Sequence, residues 1–110
     1  MDHKQILSDA ISILRDREMQ YGNIHDVTGR ACDIFELITG VGMSSYHANI
    51  FLHSVKLARM KEAPEKPDNY ADGINYLAFA GEFAMMKAPA DEVINAGMRD
   101  LVEQFSTQEA

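Results

Sequence analysis

This chain has little that would build a disulfide framework, a membrane span or a nucleic-acid surface. Cys32 is the single cysteine among 110 residues, so no internal disulfide can form, and no Cys/His ligand spacing surrounds it. Ala31, Ile34 and Phe35 are its neighbours in a helical pattern, which reads as a core position in a reducing compartment. The start MDHKQILSDA lacks the apolar run of a signal peptide, and no segment approaches the roughly 18 apolar residues of a membrane span. The expected location is therefore the cytoplasm, with no membrane partner. Basic residues are scarce: Lys and Arg total 10 against 17 Asp and Glu, a net charge of -7. That balance argues against duplex DNA or RNA as a partner, because such partners need a basic footprint, yet it leaves room for a small anion in a local basic pocket. Alternating β-branched runs with turn dipeptides are absent, and so are internal repeats and low-complexity segments.

What is present is helical periodicity. Apolar residues make up 46% and charged residues 25% of the chain, the balance of a folded protein. Ile6, Leu7, Ala10, Ile13 and Leu14 recur as the apolar face of a helix over residues 4–20, with Asp9, Asp16, Arg17 and Gln20 on its polar face. Tyr21-Gly22-Asn23 punctuates the chain, since Gly and Asn accept the positive φ that redirects it. Val27, Ala31, Ile34, Phe35 and Ile38 form one stripe of a second helix, from about His25 to Thr39, closed by Gly40 and Gly42. Ser44 or Ser45 can cap a third, running to about Glu62 with Ala48, Phe51, Leu52, Val55 and Ala58 on one side. Pro64 and Pro67 make KEAPEKPD the connection, and Asp68 stands where an N-cap belongs, ahead of a fourth helix over about 69–86. Gly73 and Gly81 each cost that helix roughly 1 kcal/mol relative to Ala, which points to close packing or ligand approach there. After Pro89, residues Val93, Ile94, Met98, Leu101, Val102 and Phe105 pattern a fifth helix. The fold class is all-α: a compact antiparallel bundle of four to five helices, with residues 1–105 as one domain and 106–110 as a polar tail. Seven methionines, several of them in the last two helices, suit adaptable packing, and a chain this short gains from forming a homo-oligomer.

The charged residues between positions 56 and 76 carry the chemistry. Lys56 and Arg59 are three apart, share a helix face and can hold a phosphate, Arg as a planar fork and Lys as a mobile point charge. Asp68 and Asp72 are four apart, with Tyr76 one turn on; two such carboxylates can bind Mg²⁺ if water and phosphate oxygens complete its shell. Equally, Lys56 and Arg59 can be a solvated face, while Asp68 caps its helix and Asp72 complements the helix start. His25, His47 and His53 have no metal-binding spacing, no local motif supports Ser/His/Asp or Cys/His catalysis, and the G-x-G at Gly40 to Gly42 lacks a preceding strand.

The order YG at Tyr21-Gly22, KLAR at Lys56 to Arg59 and DNYADGINYLAFA from Asp68 resembles a phage and prophage family of small helical domains akin to the nucleotide-modification-associated domain. That family repeats a YG turn, a K-x-x-R helix and a D-x-x-x-D-x-x-x-Y helix in this order. More distantly, the acidic helix is similar to one in the MazG-like all-α nucleoside triphosphate pyrophosphohydrolases. The resemblance covers roughly residues 10–85 and omits the last helix. It implies a MazG-like fold and a nucleotide-handling role in a host cytoplasm, with Tyr21, Gly22, Lys56, Arg59 and Tyr76 binding the ligand and Asp68 and Asp72 holding a metal. The pyrophosphohydrolases carry E-E-x-x-E on the preceding helix, where this chain offers only Asp33 and Glu36. Three readings follow: a nucleotide or phosphate-ester binder, a Mg²⁺-dependent pyrophosphohydrolase, and a module whose acidic surface engages a host protein.

Overall fold

The computed structural model describes residues 1–86, all-α with no strand among them. Its helices are α1 (His3–Tyr21), α2 (Ile24–Thr39), α3 (Ser45–Glu62) and α4 (Pro67–Met85). The fifth helix expected over 93–105 and the polar tail lie outside the described residues.

Local chemistry accounts for the ends of the helices. Asp2 accepts from the Gln5 amide at 2.9 Å, Asn23 from the His25 amide at 2.8 Å, and Ser44 from the His47 amide at 3.0 Å, each supplying a first-turn amide with the acceptor it lacks. Asn23 is thus the cap of α2, with φ at -71°, and Gly22 alone takes the positive φ of that turn. Gly40 ends α2 in the left-handed conformation at φ 73°. Asp68 does not cap α4. The cap position is Lys66, Pro67 opens the helix, and Asp68 lies inside the first turn, where its charge complements the helix dipole. A proline at the first helical position sacrifices no hydrogen bond, so Pro67 starts the helix instead of belonging to the connection. Only residues 63–66 link α3 to α4, and the Tyr70 hydroxyl locks that turn by donating to the Pro64 carbonyl at 2.8 Å.

The centre of the bundle is α4. It packs most extensively on α3, next on α1, and the two flanking helices do not pack on each other. The four-residue turn sets α3 antiparallel to α4. On the other side α1 runs in the same direction as α4, so the bundle is not antiparallel throughout as its short connections suggested: the Asn75 amide donates to the Ala10 carbonyl at 2.9 Å, and Leu14 shares a pocket with Phe79. Small side chains allow the close approach, with Ala10, Ala71 and Ala80 the buried apolar residues.

Two apolar stripes are only partly turned to this core: Val27 and Phe35 on α2 and Ala48 and Val55 on α3 are half-buried, and the rest are exposed. On α2, Ile34 is 56% and Ile38 77% exposed, and Ala31 is exposed as well. Cys32 is half-buried, with its sulfur 4.0 Å from the Ser45 hydroxyl. On α3, Phe51, Leu52 and Ala58 are exposed. The side of α3 that meets α4 instead carries His53, Lys56 and Met60, with the fully buried Asn49 on the same stripe. Gly73 makes this approach possible: a methyl there would lie 3.4 Å from the Met60 Cε and 3.6 Å from the Lys56 Cβ, and the His53 ring bonds its carbonyl at 2.7 Å. Gly81 has no such neighbour, and nothing in the structure explains it.

Candidate functional site

The middle of α4 presents Asp72 towards both flanking helices, and this carboxylate is the hub of the site. The residue is only 9% exposed. Its Oδ2 takes the Lys56 ammonium from α3 at 3.0 Å, and its Oδ1 faces the Arg17 guanidinium from α1 at 3.5 Å. A buried carboxylate must be compensated, and two cations from two helices do so here. Lys56 is itself well covered, its stem lying over Gly73, whereas the Arg17 side chain is half-exposed and its contact is the looser one.

Asp72 also separates two hollows. One is an open groove of about 700 Å³ between α3 and α4, lined by Lys56, Arg59, Lys66, Glu62, Asp68 and Asp72. Among the described residues neither Arg59 nor Lys66 is in an ion pair. The other is a smaller pocket of about 150 Å³, where the end of α1, the Gly22 turn, the start of α2 and the middle of α4 converge. Leu14, Ile24, Val27, Tyr76 and Phe79 supply its apolar wall, with Tyr21 and Gly22 at the turn and Arg17, Glu18 and Asp72 as charged groups in its lining.

The seven residues singled out in the sequence therefore divide between two adjoining spaces. Lys56, Arg59, Asp68 and Asp72 line the groove, while Tyr21, Gly22, Tyr76 and again Asp72 line the pocket. Asp33 and Glu36 line neither; both are exposed on α2. Among the described residues no group of three or more His, Cys, Asp or Glu side chains is placed to hold a metal ion. A Mg²⁺ ion on Asp72 would require the Lys56 ammonium to leave its oxygen.

His25, His47 and His53 have structural partners. His53 joins α3 to α4 through the Gly73 carbonyl, and His25 pairs with Glu82 at 2.8 Å while meeting the Phe83 ring edge-on, pinning the start of α2 to the end of α4. Arg17, Glu18, Glu62 and Lys66 are the charged lining residues that the motif pattern did not single out. Arg17 has a local signal, since it stands four residues before Tyr21 on the same helix face.

A family model described as a domain of unknown function (DUF6378) matches residues 5–84, from α1 almost to the end of α4. The chain belongs to the DUF6378 family. No curated protein and no solved structure matches it. The DUF6378 match spans both hollows and every residue of the Asp72 hub. None of the helices of this DUF6378 chain among the described residues is long and apolar enough to cross a membrane.

Proposed function

We propose that this DUF6378 protein binds a nucleotide or another phosphate ester, with the phosphates in the groove between α3 and α4. The observation that carries the reading is the pairing state of the cations. Lys56 is held by Asp72, while Arg59 and Lys66 line the same groove with no ion-pair partner among the described residues. A guanidinium beside an ammonium offers a phosphate charge-assisted hydrogen bonds, and the neighbouring pair holds Lys56 in place beforehand. Glu62, Asp68 and Asp72 balance the three cations of the lining, so attraction rests on the local placement of Arg59 and Lys66 and not on net charge, and a long polyanion gains little from the rest of an acidic surface. The order of the YG, K-x-x-R and acidic-helix motifs, which resembles the phage nucleotide-handling family, supports the same reading.

Isothermal titration of tripolyphosphate and nucleoside triphosphates is the test. Binding that weakens about tenfold or more in Arg59→Ala is expected, since a charge-assisted contact to phosphate is worth roughly that factor. No binding, or binding indifferent to Arg59→Ala, would falsify the reading.

Turnover is a second reading, favoured by the presence of Asp68 and Asp72 in one groove. Mg²⁺ would be shared between these carboxylates and the ligand's phosphate oxygens, supplying charge neutralisation and an activated water. Lys56 and Arg59 would neutralise the phosphates from the opposite helix. Release of pyrophosphate from a nucleoside triphosphate with Mg²⁺ or Mn²⁺ supports it; none from any common or modified nucleotide removes it.

The proposal includes self-association. Leu37 and Ile38 on α2 and Phe51 on α3 are 86%, 77% and 62% exposed, a heavy apolar load for a free surface, and a homo-oligomer covers it.

A further inference from the structure

The pocket at the Gly22 turn has features that phosphate binding does not need. Its wall is apolar and partly aromatic, and its charged groups belong to Arg17, Glu18 and Asp72. We infer that it is the ring subsite of the bound nucleotide, and that it takes a base with a single six-membered ring. This inference rests on the phosphate reading of the neighbouring groove and deepens it by naming the class of base.

Size is the first argument. The pocket measures about 150 Å³, and an apolar cavity of about that volume accommodates a benzene-sized ring. Whole drug-sized ligands occupy roughly 300–1,000 Å³. The pocket therefore holds one ring, and the remainder of the ligand must lie elsewhere. Asp72 is common to the linings of the pocket and the groove, so the two are close enough for a ring in one and phosphates in the other to be parts of one short molecule.

Chemistry is the second. Tyr76 and Phe79 offer aromatic surface to a flat ring, and base–aromatic stacking tolerates any flat base. Selection must then come from the space available and from the edge of the ring. Asn75 lines the pocket with its amide nitrogen committed to the Ala10 carbonyl at 2.9 Å, so this part of the wall is tied to the backbone of α1. Glu18 supplies an acceptor for a ring N–H or an exocyclic amino group, and Arg17 a donor for a ring carbonyl. A pyrimidine carries both kinds of edge on one ring; a purine adds a second ring that extends beyond the apolar wall of the pocket.

Rigidity is the third. Gly22, in the pocket lining, has φ 84° and ψ -155°, a region open essentially to glycine alone. The turn that brings Tyr21 and Ile24 together is thereby set by the backbone.

The test is isothermal titration of the full chain with tripolyphosphate, the pyrimidine triphosphates and the purine triphosphates, followed by the same series on Val27→Phe, which fills the pocket from α2. Stacking and enclosure of one base are worth about tenfold or more in affinity. Pyrimidine triphosphates should therefore bind about tenfold or more tighter than tripolyphosphate, purine triphosphates should fall well short of them, and the pyrimidine advantage should collapse in Val27→Phe. Equal affinity for all three ligand classes overturns the ring subsite while leaving the phosphate groove standing, and so does a preference for purines. Absence of binding by tripolyphosphate and every nucleotide overturns the phosphate reading and this inference together. The ligand series on the unaltered chain decides the matter even if Val27→Phe fails to fold, which circular dichroism would show.

Discussion

The α3–α4 interface and the free side of α2 invert the usual arrangement of a small helical protein. Between α3 and α4 the covered side chains include Asn49, His53, Lys56 and Asp72, every one polar, whereas α2 leaves Ile34, Leu37 and Ile38 in the open. Each polar group in the interface has a reason to be there. Asn49 donates to the Ser45 carbonyl at 2.8 Å, His53 to the Gly73 carbonyl, and Lys56 to the Asp72 carboxylate. Burial of polar groups is tolerable when they are satisfied, and once satisfied they specify one packing geometry, at a cost in raw stability that apolar side chains would avoid. The side of α2 has no such internal justification, which is why its partner is sought in a second copy. One region reads as a site and the other as a surface for assembly.

The sharpest way to break that contrast is Asp72→Ala. Removing the shared anion strands Lys56 in a covered position, a loss of about 3 kcal/mol or more. For a domain of this size the melting temperature should fall by more than about 10 °C in a calorimetric scan. Asp68→Ala, on the same helix but with only the helix dipole to satisfy, should cost less than about 1 kcal/mol. Equal losses for the two aspartates would mean that Asp72 is not the hub.

Next in size is the backbone of the pocket. Gly22→Ala should destabilise by about 1–3 kcal/mol in urea unfolding, because φ 84° with ψ -155° suits no side chain. Gly40→Asn, in an ordinary left-handed cap at φ 73° and ψ 6°, should cost only a few tenths. A reversed order would remove the special status of the Gly22 turn.

His53→Ala tests whether the polar interface contributes stability as well as ligand contacts. Loss of the His53–Gly73 bond should cost about 1 kcal/mol by the same unfolding measurement, since the link between α3 and α4 is lost while the carbonyl keeps its partner within α4. Ser54→Ala, next in sequence and bonded only back to the Ile50 carbonyl of its own helix, should be close to neutral.

The smallest stability change and the largest change in mass should come from α2. Leu37→Asp alters a residue that is 86% exposed, so monomer stability should shift by less than about 0.5 kcal/mol. Light scattering after size exclusion should show the parent chain as an oligomer and the variant as a smaller species. A monomeric parent chain would remove the assembly role assigned to α2.

Much of the fold was legible because it is written locally. Of the two serines that could cap α3, Ser44 does so, Gly22 and Gly40 interrupt the helices where glycine was needed, and apolar recurrence located the four described helices to within a residue or two. Asp68 shows the limit of such reading: it looks like a cap because of its type, yet Pro67 starts the helix one residue earlier because proline already has the helical φ. The site was legible by halves. Lys56, Arg59, Asp68 and Asp72 share a groove as their spacing on two helices allowed, and Tyr21 and Tyr76 line one pocket. Arg17 was only half legible: it shares a helix face with Tyr21, but its contact with Asp72 crosses 55 positions of chain and depends on α1 running alongside α4.

Periodicity and local capping chemistry by themselves determined that the described residues are helical and, to within a residue or two, where the helices start and stop, because those properties depend on neighbours a few positions away. Only the tertiary structure decided which face of each helix is covered. An apolar stripe states that a helix wants a partner without saying whether that partner is its own chain, and in α3 the satisfied pairs His53–Gly73 and Lys56–Asp72 took the inward place while Phe51 was left outside. The physical reason is that a charge or a hydrogen-bonding ring can be buried only opposite its complement, and the position of that complement is a property of the folded arrangement.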